Sequence, residues 1–208
     1  NALFQGSSIS LAMDNGSINS GGTVGIGLRN ASGQNLWEFF FVGGGSGYTI
    51  NDASGANATG MSFTDQGLTI ELYQSSATTL DYVITKLSDS STITGTSTMM
   101  TPGSGAQAIS QARFFNFDAG GLGANDAYFN SLQVCYPCPA TVTVSCADVL
   151  NTGITGLPVV TDYCDGSPTL AFSDLAGACS AGSFNVVRTF IATDVSSNSS
   201  SCAQNITV

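Results

Sequence analysis

Six cysteines are the most reactive side chains in this 208-residue chain, and their spacing is uneven. None precedes Cys135, whereas Cys135, Cys138 and Cys146 fall together in VCYPCPATVTVSC, residues 134–146. A Cys-x-x-Cys pair does redox chemistry where a helix N-terminus lowers the thiol pKa. It holds zinc where a second such pair, or histidine, completes four ligands. The chain has no second Cys-x-x-Cys and no histidine, and strand-like sequence flanks the pair. Cys135, Cys138, Cys146, Cys164, Cys179 and Cys202 are therefore expected as structural disulfides of an oxidising compartment. Six cysteines allow fifteen pairings, and the residues alone leave the choice open.

Other chemistry is narrowed by the same inventory. Without histidine, a Ser-His-Asp or Cys-His arrangement cannot be built. A glycosidase needs two carboxylates facing each other across a cleft. Glu38 and Glu71 are the only glutamates. Both lie in alternating stretches, Glu38 pointing opposite to Trp37, Phe39 and Phe41, so they read as solvated strand positions. The glycine run GGGSG, residues 43–47, lacks the lysine and helix of a phosphate loop and reads as a hairpin turn. No active site is expected.

Two kinds of binding group remain. MDNGS (13–17) and GANDAYF (123–129) each set Asp beside Asn at a strand end, and oxygen ligands of this type suit Ca²⁺. Asp14, Asn15, Asn125 and Asp126 are the candidate ligands. The competing use is an Asx-turn, in which each side chain satisfies its own backbone. Trp37, Tyr48, Tyr73, Tyr82 and Tyr128 could stack on sugar rings, although a lone Trp beside Phe39, Phe40 and Phe41 is better suited to a core.

The elements that must position these groups are strands. Apolar residues alternate at Ile9, Leu11, Met13; at Val24, Ile26, Leu28; at Trp37, Phe39, Phe41; at Leu68, Ile70, Leu72; and at Leu80, Tyr82, Ile84. ARFFNFDAG and AYFNSLQV close this region, and Gly, Asn, Ser and Asp clusters bound every run. That is the pattern of antiparallel strands joined by turns, and several at this spacing give a β-sandwich or jelly roll. No amphipathic helix is apparent. Beyond Val134 phenylalanine becomes sparse and short β-branched runs take over, including ATVTVSC, LPVVTDYC and FNVVRTFIATD. The expected organisation is all-β: a jelly-roll or concanavalin-like sandwich over 1–134, then a small disulfide-stapled immunoglobulin-like sandwich over 135–208. A core that small is marginal, and disulfides are a common remedy.

Charged residues are only 9% of the chain, with a net charge of −10, against about 25% in ordinary soluble domains. A surface of hydroxyls, amides and aspartates has no electrostatic grip on phosphate, so nucleic acid and anionic membranes are not expected as partners. No apolar run reaches the ~18 residues of a membrane span. The chain starts at Asn1 without an initiator Met and closes in strand-like QNITV, as a piece of something longer would.

The C-terminal stretches CPATVTVSC (138–146), VTDYCDGSPTLAFSD (160–174) and RTFIATDVSSNSSSCAQNITV (188–208) resemble HYR-like, immunoglobulin-type repeats of bacterial surface and secreted proteins. The resemblance implies an Ig-like sandwich outside the cell. That family usually carries Cys-Gly-Asn after the ATD segment, where this chain reads Ser196-Ser197-Asn198. The cysteine left without its family partner is expected to pair with Cys135, pinning the domain seam. SISLAMDNGSINSGGTVGIGLRNASGQNLWEFFFVGG and NDAYFNSLQV resemble concanavalin-like or jelly-roll domains of carbohydrate-binding type. That likeness implies a sugar-binding shape and a structural Ca²⁺ between the first and last strands.

Two functions follow as expectations. The first is a non-catalytic structural or adhesive protein, part of a cell-surface or extracellular fibre, whose partners are copies of itself or neighbouring modules. The second is a carbohydrate-binding module with an Ig-like spacer from a secreted polysaccharide-degrading enzyme.

Overall fold

The structure is a computed structural model. It describes residues 3, 5–101, 108–135, 137–160, 167–176, 183–197 and 199–208. The strands are β1 (Ser8–Asn15), β2 (Thr23–Arg29), β3 (Asn35–Val42), β4 (Gly47–Asp52), β5 (Gly55–Ser62), β6 (Leu68–Gln74), β7 (Thr79–Lys86), β8 (Thr92–Thr98), β9 (Gln111–Phe117), β10 (Ala127–Cys135), β11 (Val142–Thr143), β12 (Thr169–Ala176), β13 (Asn185–Thr193) and β14 (Ser199–Thr207). The chain divides into two compact units, Asn1–Cys135 and Tyr136–Val208.

The first unit is a sandwich of two five-stranded antiparallel sheets, ordered β10-β1-β6-β7-β8 and β5-β4-β3-β2-β9. The period-two pattern explains its core. Strand side chains alternate between faces, and the alternating apolar residues of β1, β2, β3 and β6 are the buried ones. Val24, Ile26, Leu28, Trp37, Phe39 and Ile70 lose all exposure. Burying each such side chain is worth about 1.5–3 kcal/mol, which is why the register cannot slip by one residue. Contacts between the layers join the sheets: Tyr48 Oη lies 3.1 Å from Asn15 Oδ1, and Lys86 Nζ on β7 donates to Ser62 Oγ on β5 at 3.1 Å. Gly25 faces outward on β2, where a Cβ would run into the Phe39 carbonyl and Phe40 of β3.

In the second unit one sheet is ordered β11-β14-β13-β12. Its inner face carries Val186, Arg188 and Phe190 of β13 opposite Ile206, Gln204 and Cys202 of β14. The Cys138–Cys202 disulfide joins residues 64 apart in sequence. Two runs expected as strands behave otherwise. ATVTVSC contributes only Val142–Thr143, and Leu157–Val160 of LPVVTDYC forms no strand. Pro158 has no N–H for a ladder, and Gly156 before it takes φ 89° after a one-turn helix, Thr152–Thr155. The second sheet of an Ig-like sandwich is thus absent among the described residues. Instead, the turn and helix of residues 146–155 supply Val149 and Thr155 as partners for the inner-face Arg188.

Candidate functional site

The strand ends of the first sandwich bring the Asp/Asn signals to neighbouring loops. Gly16 N–H donates to the Asp126 carbonyl (3.3 Å), and Asn19 N–H to the Ala119 carbonyl (2.8 Å). Asn125 is buried: Oδ1 accepts from Leu122 N–H (3.1 Å), and Nδ2 donates to the Ser17 carbonyl (2.9 Å). Asn15 is buried too, with Oδ1 facing Tyr48 Oη and Nδ2 donating to the Gly16 carbonyl at 3.3 Å. Each amide oxygen faces one of the chain's own donors. Asp126 is exposed, with Tyr128 Oη 3.4 Å from its carboxylate. Asp14 Oδ1 is buried with no hydrogen-bond partner. Asn15 and Asn125 thus tie neighbouring loops, and no group of three or more His, Cys, Asp or Glu side chains converges among the described residues.

The pinned loops frame an open, polar depression of about 430 Å³, lined by Asn19, Asn116, Asp118, Ala119, Gly120 and Gly121. Gly120 has φ 113°, and a Cβ there would stand 2.7 Å from Asn125 Oδ1 and 2.9 Å from Asn19 Nδ2. Only glycine fits. Phe117, 62% exposed at the end of β9, adjoins the depression in sequence.

The five expected sugar-stacking aromatics do not form a platform. Trp37 and Tyr48 are buried in the core. Burial pushes the Tyr48 phenol up to about 12, against a lowering hydrogen bond to the Thr64 carbonyl and a raising influence of Asp14 and Asp65. Tyr82 lies on the core side of β7, its hydroxyl filling the space over Gly95. Tyr73 and Tyr128 are exposed, but Tyr73 pairs with Ser8 and Tyr128 with Asp14, at opposite ends of β1. Alternation puts large aromatics inside wherever they share a face with Val, Ile and Leu.

Glu38 and Glu71 belong to different sheets, on β3 and β6. Glu38 is held by Asn35 Nδ2 (2.7 Å) and Asn51 Nδ2 (2.9 Å), and Arg29 Nε donates to Asn35 Oδ1 (2.7 Å). This relay runs along an outer face where Phe40 and Phe115 flank Gly25 and the Arg113 guanidinium stacks on Phe115 at 4.9 Å. Nothing in the sequence singled out the relay, because its members sit on different strands.

In the second unit Arg188 is fully buried. Its guanidinium makes a bidentate contact with Asp174 (2.7 and 2.8 Å), reaches Thr155 Oγ1 (2.8 Å) and the Val149 carbonyl (2.7 Å), and lies 4.4 Å from the Phe172 ring centroid. The hydrogen bond with Asp174 raises its pKa further, against desolvation. Every donor direction points into protein, so this is a structural clasp.

The cysteines correct one expectation. Cys138 and Cys202 are bonded, but Cys135 and Cys146 are exposed thiols. Cys135 closes β10 opposite Ser8, as part of the first unit's sheet, so strand pairing fixes it in that sandwich. Cys164 and Cys179 lie outside the described residues.

The described residues contain no helix long and apolar enough to cross a membrane. No protein-family model matches the chain, and no curated protein matches it. Among solved structures it is similar to a mutant of the GH43 protein BlXynB from Bacillus licheniformis, at 11% identity and a TM-score of 0.42. The match covers 64% of this chain and 28% of that one, and a likeness at this level carries no inference about function.

Proposed function

We propose that the chain is a non-catalytic, extracellular structural or adhesive protein, a segment or subunit of a cell-surface or fibrous assembly. It joins copies of itself or neighbouring modules, with a jelly-roll-like first unit and a second unit built on the β11-β14-β13-β12 sheet. The observation that carries this reading is the open edge of the first sandwich. Edge strand β8 holds no Lys, Arg, Asp, Glu or Pro and its register is unbroken, whereas natural sheets guard exposed edges with such residues or with bulges. The separation of Glu38 and Glu71 onto different sheets supports the non-catalytic part. Negative-stain electron microscopy with light scattering on the same sample tests it. Ordered assemblies are expected, and a strict monomer at all concentrations overturns it.

A second reading is carbohydrate binding at the depression beside Phe117. Exposed amides, the Asp118 carboxylate and an aromatic rim suit a sugar ring. Polysaccharide pull-down tests it: binding lost in both Phe117→Ala and Asp118→Asn supports it, and binding unchanged in both rejects it.

A further inference from the structure

We infer that β8 is a self-pairing edge, through which two copies of this chain join antiparallel about Thr94. The inference rests on the structural reading above and names its interface. Four strands end the two sheets of the first unit, and three are disarmed. β5 and β10 carry register shifts opposite Gly47–Thr49 and Ser10–Ala12, with positive φ at Gly60 and Ser131. Bulges of this kind twist an edge away from a partner. β9 carries Arg113. β8 has neither device: its sequence is TITGTST, and its register against β7 runs unbroken from Thr92 to Thr98.

The direction of its free hydrogen-bonding groups follows from the ladder. Lys86 N–H donates to the Ser91 carbonyl at 2.9 Å, and Met99 N–H to the Thr78 carbonyl at 2.8 Å. Both contacts belong to the set in which Ile93, Gly95 and Ser97 face β7. Their alternates Thr92, Thr94, Thr96 and Thr98 therefore turn N–H and C=O to the open side. The Thr98 carbonyl already accepts from Ala53 N–H at 2.9 Å, which leaves Thr92, Thr94 and Thr96. All three are exposed.

A second copy fits these three residues. Pairing about Thr94 sets Thr94 against Thr94 and Thr92 against Thr96 of the other copy, so each free N–H and C=O finds a partner. Thr meets Thr at every outward position, a favourable cross-strand pair. No charge on the strand opposes its own copy. The contact is isologous and closes as a two-fold dimer, joining the two β8-edged sheets into one of ten strands.

The test is light scattering and sedimentation of the full chain over roughly 1 µM to 1 mM, with Thr94→Lys and Thr96→Lys. Trp37 fluorescence and far-UV circular dichroism verify that each variant is folded. The expected result is a species of twice the 21.1 kDa chain mass, with dissociation constants raised at least tenfold in both variants. Thr94→Lys sets like charges directly opposite each other. In a Cys135→Ser/Cys146→Ser background, Thr94→Cys should cross-link to itself under mild oxidation, because directly opposed Cα atoms lie about 5.5 Å apart. Thr92→Cys alone should not. Assemblies that survive both lysine substitutions overturn the β8 interface while leaving the structural reading intact. A monomer throughout overturns both. Protection of the β8 amides only on adding an unrelated extended peptide also overturns the self-pairing.

Discussion

Replacing Arg188 by methionine keeps most of the side chain's apolar length and removes its charge. The structure states what is then lost. The Asp174 carboxylate, 18% exposed, gives up both oxygens' contacts, and the Val149 carbonyl and Thr155 hydroxyl lose their donor. Removing one partner of a buried ion pair costs about 3–5 kcal/mol, because the other charge stays behind. A unit of about 70 residues has roughly 4–10 kcal/mol of stability in all. Arg188→Met should therefore remove about a third or more of the second unit's stability at 25 °C, and all of it at the low end of that range. Urea titration followed by amide NMR reads this directly. Resonances of β12 to β14 should collapse at low urea, while Trp37 fluorescence, which reports the first unit, keeps its midpoint. The double variant Arg188→Met/Asp174→Leu should recover much of the loss, since it strands no charge. If Arg188→Met lowers the second unit's stability by less than about 1 kcal/mol, the clasp does not hold the unit as argued.

Five further outcomes are expected. Alkylation with peptide mapping should label Cys135 and Cys146 in the native protein and spare Cys138 and Cys202. Reducing the Cys138–Cys202 bridge should cost the second unit about 4 kcal/mol by loop-closure entropy, seen as a lower urea midpoint. Asp52 titrates below the usual carboxylate range: partial burial would raise it, but hydrogen bonds from Ser54 and Ser97 outweigh that and lower it. A lowered folded value stabilises above the unfolded pKa and is lost as pH falls through the folded one, so Ser54 amide exchange should quicken only below about pH 4. Tyr48 has the opposite sign, its raised value stabilising below about pH 10 and losing that contribution as pH climbs toward 12; ultraviolet titration should show one tyrosine ionising last, together with unfolding of the first unit. EDTA should leave the melting temperature of the first unit unchanged, and a fall of several degrees would show a metal where the Asn15 and Asn125 amides are instead drawn as pins.

Strand-by-strand alternation was enough to find the strong core strands, because burial on one face forces apolar residues to every second position. Ile9, Leu11 and Met13 or Val24, Ile26 and Leu28 permit no other register. The all-β class, the absence of catalytic histidine chemistry and the cysteine-bearing second part follow from the residues alone. The alternation missed β4, β5 and β8, whose sequences are polar or threonine-rich because they lie toward the sandwich edge. In β8 the same period of two is present in threonine instead of leucine, the one signal that could have found it. Which of the five aromatics is core was partly legible in the alternation: Trp37 shares its face with Phe39 and Phe41 and is buried, whereas Tyr73 falls on the face opposite Leu68, Ile70 and Leu72 and is exposed. The Arg188 clasp joins β12, β13 and the turns at 149 and 155, groups tens of residues apart that no local pattern connects. Local sequence determines which face of a strand turns inward, since that depends on the residue's own neighbours. Tertiary structure decides which buried polar groups find partners, and which edge stays open, because both depend on segments brought together only by folding.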